Sequence, residues 1–268
     1  MTVNEHDQIR QQVRAAYGAV ARAESSGCCA PSTGCCAPSD QAVAELLSQG
    51  IGYSAEETAA VPEGANLGLG CGNPQAIAAL KQGETVLDLG SGAGFDAFLA
   101  ARQVGAEGTV IGIDMTPDMV SKARANAVKG GYANVDFRLG EIEHLPVADA
   151  TVDAIISNCV INLSPDKAQV LREAFRVLKP GGRLAISDIV TTAPLPQAMQ
   201  QEVALYTACV AGAASVDELA AMLTEAGFAS IRIAPKDASR EFIRHWAPGR
   251  GVEDFIASAS IEAVKPTN

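Results

Sequence analysis

Three isolated cysteines stand where a thiol could do chemistry. Cys71 lies in the loop Gly70-Cys71-Gly72, Cys159 in Ser157-Asn158-Cys159-Val160-Ile161-Asn162-Leu163, and Cys209 in Leu205-Tyr206-Thr207-Ala208-Cys209-Val210-Ala211-Gly212. Thiolates from three distant segments can build a trigonal pocket of soft ligands, the preference of a thiophilic centre. The other four of the seven cysteines, Cys28, Cys29, Cys35 and Cys36, sit in a tandem repeat over residues 27–40, Gly-Cys-Cys-Ala-Pro-Ser-Thr followed by Gly-Cys-Cys-Ala-Pro-Ser-Asp. Its prolines and glycines forbid a helix and its small polar residues cannot form a core. A four-thiolate zinc site is one reading, although vicinal pairs suit tetrahedral geometry poorly. The others are a collector of soft metal or metalloid, a redox arm delivering a thiol to an active site, or a tail with no essential role.

A second constellation is Asp88-Leu89-Gly90-Ser91-Gly92-Ala93-Gly94. Val86, Leu87 and Leu89 read as a strand, and Gly90, Gly92 and Gly94 as a tight turn into a helix over 97–104, their backbone amides able to approach a ligand without a Cβ in the way. A following strand over 110–113 ends in Asp114, about 20 residues beyond Gly94, where an acid can take both ribose hydroxyls of a nucleoside. The loop is neither the dinucleotide fingerprint nor a P-loop. Asp88 would repel a diphosphate and suits a cationic ligand.

The elements that must position these groups follow from periodicity. Residues 7–22 form an amphipathic helix with Ile9, Val13, Ala16, Tyr17 and Val20 on a packing face. A short helix follows from Asp40. Strands are expected at 135–139, at 153–157 running into Cys159, and up to Asp188. Two helices should fill 195–228, and two further strands, 228–233 and 255–263, should complete the sheet. In open parallel sheets ligands bind beyond the carboxyl ends of the strands, so Cys159 is aimed at a substrate. His144 reads as a loop residue, Phe95, Phe98 and Phe175 as packing, and Trp246 as packing with an option to roof the pocket.

The net charge of −11 argues against nucleic acid or an anionic membrane as partner. With no secretory signal and no segment approaching the ~20 apolar residues of a membrane span, a cytoplasmic protein with reduced thiols is expected.

The motifs over roughly residues 75–190 resemble the class I S-adenosylmethionine-dependent methyltransferases: the acid–glycine loop, Asp114, the stretch Gly140-Glu141-Ile142-Glu143-His144-Leu145-Pro146, the strand ending at Asn158, and the reversal Val177-Leu178-Lys179-Pro180-Gly181-Gly182-Arg183-Leu184. The resemblance implies a Rossmann-like α/β sheet, mostly parallel with a C-terminal antiparallel hairpin. It divides the chain into an N-terminal part (1–74), a cofactor-binding core (75–190) and a smaller C-terminal substrate region (191–268). It also implies S-adenosylmethionine as cofactor, held by Asp88, Gly90, Ser91, Gly92, Gly94, Asp114, Met115, Ile142, Glu143 and Asn158.

Gly70-Cys71-Gly72, Asp114-Met115-Thr116, Ser157 through Lys167, Cys209-x-x-Gly212-Ala213 and the tail from Ser239 are similar, more narrowly, to arsenite methyltransferases. This implies methylation of arsenite and methylarsenicals at As(III) bound by Cys71, Cys159 and Cys209. It further implies an N-terminal cysteine, with Cys28, Cys29, Cys35 and Cys36 as candidates, that cycles through a disulfide reopened by thioredoxin or glutathione. Two other readings stay open: methyl transfer to a quinone or other small organic acceptor, and non-catalytic sequestration of a metalloid.

Overall fold

A computed structural model describes residues 3–23, 40–200 and 202–267. Cys28, Cys29, Cys35 and Cys36 lie outside the described residues.

Eight strands form one sheet in the order β3-β2-β1-β4-β5-β8-β7, with the short β6 beside β5. They are β1 (Thr85–Leu89), β2 (Thr109–Asp114), β3 (Val135–Leu139), β4 (Val152–Asn158), β5 (Leu178–Thr191), β6 (Ala214–Ser215), β7 (Ala229–Lys236) and β8 (Ile256–Val264). Strands β1 to β6 pair in parallel, whereas β8 runs antiparallel to both β5 and β7. The expected sheet is therefore present, its antiparallel pair separated by an excursion rather than closed by a tight turn.

Side chains alternate between the two faces of each strand. Leu87, Leu89, Ile111, Ile113, Ile155, Leu184 and Ile186 face one core, and Val86, Val110, Ala154, Ile156 and Ala185 the other. The helices among the described residues are α1 (Val3–Arg22), α2 (Asp40–Gly50), α3 (Ala55–Ala59), α4 (Gln75–Ala78), α5 (Phe95–Val104), α6 (Pro117–Gly130), α7 (Lys167–Val177), α8 (Gln197–Gln200), α9 (Val203–Thr207), α10 (Val216–Ala226) and α11 (Arg240–Ile243). The second core is covered by α5 and α6, the first by α7 and α10. Helix α10 is set by its own ends: Ser215 and Glu218 form a capping box and Gly227 closes the helix in a left-handed conformation.

Helix α7 ends at Val177 because Leu178 already pairs with Val152 as the first residue of β5. Two expectations change. Residues 195–228 hold three helices rather than two, two of them a single turn long. Val20 is exposed instead of lying on the packing face of α1. No helix among the described residues is long and apolar enough to cross a membrane.

Candidate functional site

The carboxyl ends of β1, β2 and β4 open on a cavity with about 1030 Å³ of empty space, counted out to the open solvent at its mouth. Asp88, Gly90, Ser91, Gly92, Asp114, Met115, Ile142, Glu143, Asn158 and Cys159 all line it, as the sequence suggests. Gly94 does not. It starts α5 at φ +99, and a Cβ there would stand 2.6 Å from the Phe98 ring and 2.8 Å from that of Phe137, so packing explains this glycine.

The loop after β1 is folded by its own amides. Gly90 and Ser91 donate to the Ile113 carbonyl (2.8 and 2.9 Å), and Gly92 donates to Asp114 Oδ2 (3.0 Å). The other Asp114 oxygen accepts from Thr116 N–H (2.8 Å). Asp88 Oδ2 and Ser91 Oγ are buried without a hydrogen-bond partner among the described residues. Unpaired buried acceptors on a cavity wall call for a donor or a cation. With Asp96 also on the wall, they fit the positively charged nucleoside that the resemblance implies.

Burial drives the acids upward. Asp96 is pushed to about 6, Asp114 is raised, and Asp88 is raised well above the carboxylate range by burial and by the neighbouring Asp96 charge. Asp188, beyond the cavity, is likewise pushed by burial to about 6. Groups whose folded pKa exceeds their unfolded value of 3.8 stabilise the fold fully below that value and lose this contribution as pH rises to about 6. Glu84, Asp153 and Glu173 are lowered and act in the opposite sense only below the ordinary carboxylate range. The ligand-free protein should therefore melt at a higher temperature at about pH 5 than at neutral pH. Calorimetry across that range checks the sign, and Asp96→Asn should flatten the slope.

Beyond the cavity wall lie the thiols. Cys71, Cys159 and Cys209 are all buried, and only Cys159 reaches the cavity surface. Cys71, Cys159 and Cys209 belong to one buried cluster. The Sγ atoms of Cys71 and Cys159 and a carboxylate oxygen of Asp188 lie within 4.8 Å of one another. Cys209 Sγ donates to the Cys159 carbonyl (2.8 Å). Backbone geometry brings them together: Cys159 at φ +59 and Cys209 at φ +62 are left-handed, a conformation that non-glycine residues hold only where the surroundings impose it. Burial pushes the Cys71 thiol to about 11 and raises Cys159 well above the thiol range. Cys209 is raised first by its hydrogen bond with Cys159 and then by burial. At neutral pH the three are thiols.

Several site residues escape the sequence reading. Tyr17 lines the cavity, packs on the thiol cluster, and donates from its hydroxyl to the Thr207 carbonyl (3.2 Å), which corrects its reading as a packing residue only. Arg10, from the same helix, pairs with Glu143 (3.1 Å) and Glu141 (3.4 Å) and closes the cavity's edge. Glu143 is thereby engaged by Arg10 and by Ser164 Oγ (2.7 Å). Asp188 is held by Ile161 N–H, Asn162 Nδ2 and Ile189 N–H at 2.8–2.9 Å. The strand expected to run up to Asp188 continues to Thr191, so Asp188 lies inside β5, next to Ser187, which pairs with Asn158 of β4. His144 and His245 are exposed, and Trp246 packs against the thiol cluster without lining the cavity.

Residues 80–227 match the family model described as a methyltransferase domain. An arsenite methyltransferase of Halobacterium salinarum is 53% identical over 97% of this chain and 67% of its own length. The human arsenite methyltransferase is 43% identical over 55% of this chain, and the match covers 42% of that relative, so the chain spans under half of it. The crystal structure of an arsenic(III) S-adenosylmethionine methyltransferase from Chlamydomonas reinhardtii superposes with a TM-score of 0.59 at 34% identity, over 83% of this chain and 73% of that one. A fold with this cavity, three thiols converging at its wall and relatives of this likeness place the chain in the arsenite methyltransferase family of S-adenosylmethionine-dependent enzymes.

Proposed function

We propose that this chain methylates trivalent arsenic while Cys71, Cys159 and Cys209 hold it, as part of arsenic detoxification in the cytoplasm. The observation that carries the reading is the placement of Cys159, which lines the cavity with its sulfur within 4.8 Å of that of Cys71 while the Cys209 thiol donates to its carbonyl. In this reading the N-terminal part supplies Arg10 and Tyr17 to the cavity wall and Cys71 to the thiols, 75–190 bind the cofactor, and 191–268 complete the sheet and supply the third thiol.

Bound S-adenosylmethionine supplies an electrophilic methyl on a cationic sulfur. Asp88, Asp96 and Asp114 line the cavity, and a bound cation would favour the ionised carboxylates that burial disfavours in the ligand-free protein. Gly90, Ser91 and Gly92 bring backbone close to it, and Ile142 and Met115 give apolar walls. Arsenite arrives as As(OH)₃. Each thiol that replaces a hydroxide passes its proton to it as water, so binding consumes protonated thiols and releases no net proton. The raised thiol pKa values are then no obstacle, and no prior deprotonation is needed. Arsenic held by three sulfurs keeps a lone pair, and the nucleophilic atom bears no proton, so no general base is required. Accordingly, the described site has no histidine on its walls. The task of the chain is to align lone pair and methyl in near-attack geometry.

The lone pair becomes the arsenic–carbon bond, and arsenic is formally oxidised by two electrons. A thiolate from outside the three ligands attacks one arsenic-bound sulfur, that sulfur leaves in a disulfide with its attacker, and the arsenic–sulfur electron pair stays on arsenic, giving a neutral trivalent methylarsenical on the two remaining thiolates. We place Cys28, Cys29, Cys35 or Cys36 in that disulfide cycle, with thioredoxin or glutathione as the reductant that reopens it. Each methyl added removes one possible arsenic–sulfur bond, so methylarsenite needs two thiols where arsenite needs three.

Cys71 is buried and lies away from the cavity surface. Cys71→Ser should lose arsenite methylation by at least about 100-fold yet keep methylarsenite turnover within about tenfold. Steady-state assays on the two substrates check this, and full arsenite turnover in the variant would make Cys71 structural.

A further inference from the structure

Asn158 ends β4 one residue before Cys159, and its side chain reaches across to the Cys71 loop. Cys71 N–H donates to Asn158 Oδ1 (3.0 Å), while Asn158 Nδ2 donates to the Gly72 carbonyl (2.8 Å) and the Tyr53 hydroxyl (2.9 Å) and approaches Asp96 Oδ2 at 3.3 Å. Gly70, at φ +143, completes the wrap: a Cβ there would stand 2.9 Å from Asn158 Nδ2. Three consecutive residues thus enclose one amide. At the far end, Tyr53 donates to Asp96 Oδ1 (2.7 Å) on the cavity wall.

Every polar atom of the Asn158 side chain is therefore committed to protein partners, although the residue lines the cavity. Its geometry is that of a clamp. The Cys71 thiol itself is held only loosely, 3.6 Å from the Ser187 carbonyl and 4.0 Å from Asn158 Oδ1. What fixes Cys71 is its backbone, gripped on one side by the Asn158 amide and on the other by Ser258 Oγ, which donates to the Cys71 carbonyl (2.5 Å).

We infer that Asn158 is a positioning residue for substrate choice: by clamping the Gly70–Gly72 backbone it sets Cys71 as the third arsenic ligand and so admits inorganic arsenite in addition to methylarsenite. This rests on the three-thiol reading above. Through Tyr53 and Asp96 the same amide joins the third ligand to the wall of the cofactor cavity. A residue that merely stabilised the fold would, when removed, depress both substrates together. Loss of the clamp should instead depress the substrate that needs Cys71.

The test uses the full chain with Cys28, Cys29, Cys35 and Cys36 changed to Ser, so that only the buried thiols report. Arsenic X-ray absorption counts the sulfur neighbours of one equivalent of bound arsenite without cofactor. Three sulfurs are expected in this parent, and two sulfurs with one oxygen after Asn158→Ala. In chains retaining the N-terminal cysteines, the ratio of kcat/KM for arsenite to that for methylarsenite should fall at least about 30-fold, any loss of cofactor binding being common to both substrates. Gly70→Ala, which pushes on the amide from the other side, should give the same split and guards against a folding defect peculiar to one variant. Three sulfurs around arsenic in Asn158→Ala, or equal losses on both substrates, would overturn the inference. Fewer than three sulfurs in the parent would overturn the three-thiol centre and this proposal with it.

Discussion

Cys159→Ser should abolish methyl transfer to arsenite and to methylarsenite alike, by at least about 1000-fold, equivalent to about 4 kcal/mol of barrier. The reason is position. The Cys71 sulfur lies within 4.8 Å of the Cys159 sulfur and the Cys209 thiol donates to the Cys159 carbonyl, whereas of the three Cys159 alone lines the cavity. A two-thiol methylarsenite complex therefore includes Cys159 whichever partner it takes, and a hydroxyl is a hard donor that a thiophilic centre declines. The substitution is nearly isosteric and leaves the cavity walls in place, so cofactor affinity should stay within about threefold of wild type. Arsenic speciation after incubation with methyl-labelled cofactor reads the first quantity and equilibrium binding the second. Wild-type rates in this variant would remove the thiol centre from the mechanism.

Gly90→Ala is the second large effect, and it acts on the other half of the site. Gly90 has φ +69, and a Cβ there would overlap the side chain of Val160, the residue after Cys159. Overpacking of this kind costs about 1–3 kcal/mol, and a left-handed alanine adds about 1 kcal/mol. Relief requires the glycine loop to move away from the thiol-bearing turn, so cofactor affinity should fall about 100-fold and the melting temperature by about 5–10 °C. Gly92→Ala is the matched comparison. Gly92 is also left-handed, at φ +51, but nothing lies within 4 Å of the point where an added methyl would stand. It should show only the conformational cost, with a melting shift of a few degrees, about 2–4 °C. Equal losses in the two variants would mean that the Gly90–Val160 contact does not couple the two halves.

The apolar runs at Val86–Leu89, Val110–Ile113 and Ile155–Ile156 announce buried parallel strands because both of their faces are covered, and all three lie in the sheet centre. Asp114 and Asn158 are legible for the same reason: a strand end in such a sheet faces the crevice. Tyr17 and Arg10 are not. Their spacing on α1 is that of any amphipathic helix, and their role depends on contacts with Thr207 and Glu143, to which local periodicity is blind. The left-handed backbone at Cys159 and Cys209 is equally silent in the sequence, since it is imposed by tertiary surroundings. Gly94 shows the converse: a glycine inside a ligand-binding motif can serve packing, here against Phe98 and Phe137. The cysteine types alone suggested a soft centre; only the fold brings the sulfurs of Cys71 and Cys159 and a carboxylate oxygen of Asp188 within 4.8 Å of one another.

The most direct test of the three-thiol methyltransferase is to incubate the full chain with methyl-labelled S-adenosylmethionine, arsenite and a thiol reductant, and to separate the arsenic species formed. Label appearing in methylarsenicals, one demethylated cofactor per methyl transferred, is the predicted result. Cofactor binding with no label reaching arsenic would contradict it.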